Sequence, residues 1–340
     1  MAMKRILIAM ATGLCGILAS SAVLADNLPY NVCSDLASCQ PLADKGNMEA
    51  QYNIAVMYDD GDGVMRNYGT AANWYRKAAD QGLAAAQYEL GTMYDGGYGV
   101  EQSYSEAAKW YEKAAEQGMA DAQYNIGNMY FHGDGVEKSY DKTYDWYSKA
   151  ADQGNARAQL GLGILYDNGY GVTQDYKMAA DWYLKAANQG MATAQYNMGS
   201  MYEYGDGVPK DYQTAIDWYQ KAAAQKYTSA YLAMGDLYEN GKGVPKDYKK
   251  AIENYLKAAE LGDPEGDYSM GLMYYHGYGV TQDMAQAYAW MATANTLDSS
   301  NSDYAKAKND IYGLLPPSEQ EKAKKLANDY LIKYGKSQDN

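Results

Sequence analysis

The chain is poor in the residues that most metal sites and catalytic sites require. Its 340 residues include two histidines, three cysteines and one phenylalanine. The sequence contains no phosphate-binding loop, no nucleophile elbow and no histidine–cysteine pair. We therefore expect no catalytic residue, no metal site and no cofactor.

Basic residues are also scarce relative to acidic ones. The sequence has 29 lysines and arginines against 43 acidic residues, a net charge of −14. Without the first 25 residues, the balance is 27 basic residues against 43, a net charge of −16. Phosphate binding needs a basic stripe, so the composition excludes nucleic acid as a partner and disfavours an anionic membrane surface. A basic or polar protein partner is compatible with this charge.

The first 25 residues read as a secretory signal peptide. They have a basic start at Lys4 and Arg5, an apolar run, and a cleavage site that ends at Ala25. We expect a mature exported chain from Asp26, with no membrane insertion after cleavage. The alternative is an uncleaved anchor. A lipoprotein signal is disfavoured because the apolar run continues past Cys15.

Export would leave Cys33 and Cys39 in a compartment that permits disulfides. On one helix their Cα atoms would lie about 9 Å apart, too far for a bridge. A disulfide therefore requires Cys33 to precede the helix, with Ser34 or Asp35 as its N-cap. We expect this bridge within an N-terminal cap of residues 26–46; two free thiols are the alternative.

Residues 47–298 consist of seven copies of a 36-residue repeat, with no insertion or deletion. The copies begin at Asn47, Leu83, Met119, Asn155, Met191, Tyr227 and Asp263. Tryptophan recurs in six copies, at Trp74, Trp110, Trp146, Trp182, Trp218 and Trp290. Such a period predicts stacked supersecondary elements that cannot bury their apolar faces alone. We expect the tryptophans, Trp146 among them, to be large buried core residues.

Each copy predicts two helices. In the second copy, Ala86, Leu90 and Met93 have helical spacing, and paired glycines at 97 and 99 supply the left-handed C-cap. The second helix follows an N-cap residue, Ser103. Gly91 lies inside the first helix, where glycine costs about 1 kcal/mol relative to alanine. Because glycine recurs there in six copies, we expect a close helix approach that leaves no room for a side chain.

The pattern A-x-x-x-L-G-x-x-Y-x-x-G-x-G-V followed by A-x-x-W-Y-x-K-A-A-x-x-G closely resembles the Sel1-like repeat family, a relative of the tetratricopeptide repeats. The resemblance covers residues 47–298, with half-repeats at either end. It implies an all-α, right-handed α/α solenoid with capping helices at both ends. It also implies protein binding on the concave side and no family-wide catalysis. A Gram-negative source, with the periplasm as first destination, is inferred from the family.

One polar stripe varies between copies. The third, seventh, tenth and fourteenth positions of each repeat trace one face of the first helix. The resulting partner-binding candidates are Asp121, Asn125, Asn128 and His132 in the third copy, Thr193, Asn197, Ser200 and Tyr204 in the fifth, and Asp236 and Asn240 in the sixth. The alternative for each is ordinary solvated surface.

An acidic residue recurs at the thirteenth position of five copies, as Asp59, Asp95, Asp167, Glu203 and Glu239. Acids near a helix C-terminus oppose the helix dipole, so local helix stability does not explain them. We expect each to pair with a lysine or amide of a neighbouring helix. The alternative is an acidic ridge that faces a partner.

After Asp298 the repeat pattern decays, and residues 299–334 are expected to form C-terminal capping helices. Ser318 with Glu321 predicts a capping box at the start of a last helix that ends near Tyr334. A polar terminal helix would cover the last apolar face of the solenoid. Residues 335–340 are expected to be disordered.

One serine motif matches part of an enzyme signature. Ser139 and Lys142 form the S-x-x-K of penicillin-type enzymes, but no K-T-G or S-D-N accompanies them. Ser139 falls at an N-cap position, so we expect it to cap a repeat helix.

Taken together, these features predict a monomeric, exported adaptor that organises or regulates protein complexes of the cell envelope. One alternative is a secreted or surface-exposed virulence factor that binds host proteins. Another, for which no site is found, is a hydrolase of cell-wall material or β-lactams.

Overall fold

The computed structural model describes residues 30–335, and this part of the chain contains seventeen α-helices and no strand. The predicted signal peptide lies outside the described residues, as does the predicted C-terminal tail beyond Gly335. The helices are α1 (Leu36–Ala43), α2 (Met48–Asp60), α3 (Tyr68–Asp80), α4 (Ala84–Gly96), α5 (Tyr104–Glu116), α6 (Ala120–His132), α7 (Tyr140–Asp152), α8 (Ala156–Asn168), α9 (Tyr176–Asn188), α10 (Ala192–Tyr204), α11 (Tyr212–Ala224), α12 (Thr228–Asn240), α13 (Tyr248–Glu260), α14 (Pro264–His276), α15 (Met284–Leu297), α16 (Ser302–Leu314) and α17 (Pro317–Tyr334).

The chain divides into two compact units. The N-terminal unit ends at Leu162 and also includes Tyr170–Val172, and the C-terminal unit comprises Gly163–Gly169 and the chain from Thr173 onward. Within each unit, consecutive helices pack against each other as hairpins, and the first three and last three copies each contribute one pair. The predicted all-α solenoid of helix–turn–helix repeats is confirmed.

The predicted helix ends are also confirmed. Gly97 ends α4 with a φ of 71°, and its N–H donates to the carbonyl of Met93. The side chain of Ser103 accepts a hydrogen bond from the backbone N–H of Glu106 and so caps α5. An N-cap side chain does the same at Asn67, Ser139, Asp175, Asp211, Asp247 and Asp283.

The glycines inside the first helices make room for an aromatic ring. A β-carbon on Gly91 would lie 2.7 Å from the ring of Tyr111 in the second helix of the same copy. The same contact joins Gly127 to Tyr147, Gly163 to Tyr183, Gly199 to Tyr219 and Gly235 to Tyr255, while Gly271 meets Met291. The expected close approach is therefore confirmed, and its partner is a side chain rather than backbone.

The expectation that the tryptophans form the core is wrong for most of them. Trp110 and Trp290 are buried, but Trp74, Trp146, Trp182 and Trp218 are only half-buried. The Nζ of Lys149 lies 4.0 Å from the ring centroid of Trp146, and the same lysine–tryptophan pair recurs in four other copies. A lysine ammonium stays hydrated, so the half-buried indoles that it covers lie at the edge of the core, and only Trp110 among the covered indoles is buried. The core residue is the tyrosine that follows, such as Tyr147, which is 0% exposed.

Buried glutamines join consecutive copies. The amide of Gln87 in α4 donates to the carbonyl of Ala79 in α3, and the amide of Gln117 donates to the Gln87 side-chain oxygen at 2.7 Å. The same pair of bonds is formed by Gln51 with Gln81, Gln123 with Gln153, and Gln195 with Gln225. Asp267 occupies the equivalent position of the seventh copy and has no such amide.

The N-terminal helix carries the disulfide. Cys33 precedes α1 and is bridged to Cys39, with Cα atoms 5.1 Å apart. Asp35 is the N-cap of α1, in a capping box with Ser38. Cys33 therefore lies outside the helix, as the spacing of the two cysteines requires for a disulfide.

The last helix begins differently from the expectation. Helix α17 has Pro316 at its N-cap, and Ser318 lies within its first turn, so the predicted capping box of Ser318 with Glu321 is wrong. Pro317 occupies the first helical position, where a missing N–H has no cost and the fixed φ suits the helix. Helix α17 packs on α15, where the rings of Tyr330 and Tyr334 lie 4.5 Å and 4.7 Å from that of Trp290.

Candidate partner-binding surface

The candidate residues lie on the first helix of three copies. Helix α6 of the third copy belongs to the N-terminal unit, and α10 and α12 of the fifth and sixth copies belong to the C-terminal unit. We call the residues of these helices at the third, seventh, tenth and fourteenth positions of the repeat the first-helix face. Among the candidates, Tyr204 and Asn240 are exposed and the others are half-buried.

In the third copy the candidates already have partners within their own unit. Asp121 accepts hydrogen bonds from the side chains of Asn155 and Arg157, at 2.9 Å and 2.8 Å. Asn128 accepts one from the Tyr147 hydroxyl at 3.3 Å. The ring of His132 lies 5.0 Å from that of Phe131. Much of the predicted stripe in α6 is therefore engaged in internal contacts.

Asn125 is also engaged, through two phenols. Burial raises the pKa of Tyr88 and of Tyr111, and hydrogen bonding to the Asn125 side chain opposes both shifts. Tyr88 lies in α4 and Tyr111 in α5, so Asn125 connects the third copy to the second. Its amide contributes to packing between copies.

In the fifth copy the surface is more open. Tyr204 is 50% exposed. Thr193 is hydrogen-bonded to the Tyr227 phenol. Burial raises the pKa of Tyr227, and the bond with Thr193 opposes this rise. Asn197 and Ser200 are half-buried, and the ring of the adjacent Tyr196 packs on those of Tyr219 and Tyr227, with centroids 5.4 Å apart in each pair.

In the sixth copy, Asp236 accepts a hydrogen bond from the Tyr255 hydroxyl at 2.7 Å. Burial raises the pKa of this carboxyl, and the bond from Tyr255 opposes the shift. Asn240 is exposed, and its amide donates to the Asp236 carbonyl at 2.9 Å. Asp236 is thus tied to the core, whereas Asn240 lies at the surface.

The acidic column pairs mainly with tyrosine hydroxyls. The Tyr219 hydroxyl donates to Glu203 at 2.9 Å, and the Tyr255 hydroxyl shares its single hydrogen between Glu239 and Asp236, each 2.7 Å away. Equivalent bonds join Tyr75 to Asp59 and Tyr183 to Asp167, whereas the Tyr111 hydroxyl donates to Thr92 at 3.1 Å, and its interaction with Asp95 opposes the rise that burial causes in the pKa of that carboxyl. The expected pairing with a lysine or amide is wrong in its partner, except that Lys242 also lies 3.6 Å from Glu203.

The sequence contains a signal for this pairing that was missed. In the seventh copy, Met291 replaces the buried tyrosine and Tyr275 replaces the acid, so both members change together. In the third copy, Phe131 replaces the acid and the Tyr147 hydroxyl bonds to Asn128 instead. Buried hydroxyls need a partner, which explains why the acid and the tyrosine occur together.

The serine motif has the geometry of a helix cap. The Ser139 Oγ accepts from the backbone N–H of Lys142 at 3.3 Å, which confirms the predicted capping role. The Lys142 Nζ lies 4.6 Å from the ring centroid of Tyr130 and donates to its hydroxyl at 3.4 Å. The lysine that a serine nucleophile would need is thus directed to a tyrosine.

Residues 30–335 contain no group of three histidine, cysteine or acidic side chains arranged to hold a metal ion. None of the helices in this range combines the length and the apolar character needed to cross a membrane.

The family model of the Sel1 repeat matches seven consecutive segments, at residues 49–83, 84–119, 120–155, 156–191, 192–227, 228–263 and 264–299. The chain belongs to the Sel1 repeat family. Repeats of this family generally serve as non-enzymatic scaffolds for protein–protein interaction. A search of curated proteins finds no match to this Sel1 repeat protein.

Two of the solved structures that are similar to this chain share more than a quarter of its residues over the aligned part. One is a Sel1 repeat protein from Oxalobacter formigenes, 35% identical over 65% of this chain and 89% of that chain, with a TM-score of 0.59. The other is a protective antigen present in uropathogenic Escherichia coli strains and displaying an SLR fold. It is 28% identical over 88% of this chain and 87% of that chain, with a TM-score of 0.53.

Proposed function

We propose that this Sel1 repeat protein is an exported, monomeric adaptor that binds other proteins through its first-helix face. In this role it would organise or regulate protein complexes of the cell envelope without catalysis. The observation that carries the proposal is the open surface of the fifth copy. There, Tyr204 is exposed and Asn197 is half-buried on the first-helix face. Exposed tyrosines are frequent anchors of protein interfaces.

Two further features support export and a protein partner. The Cys33–Cys39 bridge is of a kind that persists in oxidising compartments. The net charge of −16 without the first 25 residues suits a partner with a basic or polar surface rather than nucleic acid.

A second candidate function is that of a secreted or surface-exposed virulence factor that binds host proteins. The similarity to a protective antigen of uropathogenic Escherichia coli strains favours it, because a protective antigen must be accessible to the immune system. Cell fractionation separates the two functions. Retention in the periplasm supports the envelope adaptor, whereas protease-accessible surface display or presence in the culture fluid supports the virulence factor.

The adaptor function is tested by crosslinking in intact cells followed by pull-down of the full chain. The variant replaces Asn197 and Tyr204 together with alanine, and the control replaces the exposed Leu184 of the second helix α9. We expect the wild-type chain and the Leu184→Ala control to capture the same protein, and the double variant to lose it. Equal capture by the double variant would place the binding face elsewhere.

A further inference from the structure

A pocket of about 300 Å³ lies in the C-terminal unit, between the last helix of the repeats, α15, and the two capping helices α16 and α17. Of its nine lining residues, four belong to α15, one to α16 and four to α17. Three of them, Thr296, Lys324 and Asn328, are exposed. The pocket therefore opens to solvent there, and a dissolved molecule can enter it.

Short side chains leave this space open. The rings of Tyr330 and Tyr334 in α17 pack on Trp290 of α15, with centroids 4.5 Å and 4.7 Å from that of the indole. Next to this aromatic contact, α15 and α17 line the pocket with Ala292 and Ala327, which are half-buried. A methyl group is too short to fill a gap between helices that large rings hold apart.

Two lysines give the pocket a positive charge. Its lining, which lies within residues 288–331, includes Lys308 and Lys324 and no acidic residue. The Lys324 Nζ is 2.9 Å from the carboxylate of Glu321, which lies outside the lining, so Lys324 is already paired. Lys308 is half-buried. An ammonium that is partly removed from water attracts an anion more strongly than a fully hydrated one does.

The rest of the lining combines amides with apolar groups. Asn295 and Asn328 each have a side-chain amide, which can donate and accept hydrogen bonds. Ala292, Ala327 and Leu331 supply apolar surface. Because a water molecule occupies about 30 Å³ in the liquid, the pocket has room for about ten waters, or for a ligand with roughly ten non-hydrogen atoms.

We infer that this pocket binds a small organic anion, a carboxylate that carries an amide group and a short apolar side chain. The carboxylate pairs with the Lys308 ammonium, the amide group bonds to Asn295 and Asn328, and the apolar side chain packs on Ala327. This small-molecule site is additional to the first-helix face, and it does not depend on the adaptor function.

The first test compares two ligands of the same shape by isothermal titration calorimetry with the full chain. N-acetyl-L-alanine has the three groups and the size that the pocket fits, and N-acetyl-L-alaninamide replaces its carboxylate with a neutral amide. Loss of one charge-assisted hydrogen bond corresponds to about 5- to 20-fold weaker binding. We expect the anion to bind and the neutral ligand to bind more weakly by about that factor. Absence of anion binding, or equal binding of the two ligands, would overturn the inference.

The second test removes a lysine from the same helix in two places. Lys308→Gln should weaken the binding of N-acetyl-L-alanine by about the same 5- to 20-fold factor. The matched control is Lys306→Gln, because Lys306 is an exposed residue of α16 that does not line the pocket and pairs with Asp310 at 2.7 Å. It should bind N-acetyl-L-alanine with the wild-type affinity. Equal affinities in all three chains, or equal weakening in both variants, would contradict a site at Lys308.

The third test fills the pocket. Ala327→Leu should abolish the binding of N-acetyl-L-alanine without changing any charge, and because the added atoms enter existing space, the melting temperature should not fall. Undiminished binding by the folded Ala327→Leu variant would place the ligand outside the pocket and overturn the inference. If this variant does not fold, the comparison of Lys308→Gln with Lys306→Gln decides.

Discussion

The ring of Tyr147 fills the space that a β-carbon on Gly127 would need, with its Cδ1 2.7 Å from that position. Tyr147 is 0% exposed, so its ring has no solvent-filled space into which it can move. The contact fixes the separation of α6 and α7, and its counterparts do the same in other copies. Glycine is a poor helix former, but at this position of α6 its lack of a side chain leaves space for the Tyr147 ring.

Gly127→Ala should therefore destabilise the protein, although alanine is the better helix former. Overpacking of a tight core costs about 1–3 kcal/mol and exceeds the helix-propensity gain of about 1 kcal/mol. Gly69→Ala in α3 is the control, because the nearest atom to its added β-carbon is 3.5 Å away. Urea unfolding should show a lower midpoint for Gly127→Ala and an equal or higher one for Gly69→Ala. A higher midpoint for both variants would show that the Tyr147 ring can move away from the added methyl group.

The adjacent pair Trp146 and Tyr147 should differ in their contributions to stability. Tyr147 is fully buried, so Tyr147→Ala should cost about 3–5 kcal/mol. Trp146 is half-buried beneath Lys149, so Trp146→Ala should cost at most about 2 kcal/mol. Urea unfolding of the two variants measures both costs. An equal loss of unfolding free energy in the two variants would indicate that Trp146 contributes to the core as much as Tyr147 does.

The repeat length, the helix caps and the glycine contact follow from the sequence because each depends on local backbone conformation or on a fixed spacing. The burial of Trp146 does not follow in this way. Trp146 and Tyr147 recur with the same period, and periodicity does not decide which of two adjacent aromatic residues faces the neighbouring helices. That choice depends on the distance between helices, which the Gly127 contact sets.

Periodicity also does not decide which residues of the candidate surface are free to bind a partner. The sequence identifies a variable polar stripe, but Asn125 and Asn197 are indistinguishable in it. In the structure, Asn125 is hydrogen-bonded to phenols of the preceding copy and Asp121 to the side chains of Asn155 and Arg157, whereas Tyr204 is exposed. These contacts involve side chains of other helices, so they required coordinates.

Lys226, in the loop between α11 and α12, should be a weak point of the C-terminal unit. It has a φ of 64° at a position where other copies have a left-handed glycine, such as Gly190 with a φ of 91°. A residue with a β-carbon costs about 1–2 kcal/mol in this conformation. Lys226→Gly should therefore raise the free energy of unfolding by about 1 kcal/mol, as thermal or urea unfolding would show.

Lys226→Ala is the control for this substitution. It removes the same charge and side chain but keeps the β-carbon, so the backbone strain should persist and the gain should be absent. If Lys226→Ala stabilises the protein as much as Lys226→Gly does, the lysine side chain rather than the backbone conformation is responsible.

Asp267 should make the stability of the protein depend on pH. It is 0% exposed, and neither carboxyl oxygen has a hydrogen-bond partner among the described residues. Burial, with a contribution from the charge of Asp263, raises the pKa of Asp267 to about 8. In the unfolded chain this carboxyl releases its proton near pH 4, at about its reference pKa. Between about pH 4 and pH 8 the folded state binds the extra proton, so stability should fall as pH rises.

Asp267→Gln should remove this loss, because glutamine stays neutral and its amide can donate to the Ala259 carbonyl, as Gln87 does to Ala79. A buried group that is forced to ionise contributes a slope of up to about 1.4 kcal/mol per pH unit. Urea unfolding at pH 5 and pH 8 should therefore show a drop for the wild-type chain and a smaller one for Asp267→Gln. Asp303→Asn, at an exposed carboxylate, should retain the wild-type drop. An undiminished drop in Asp267→Gln would assign the pH dependence to another group.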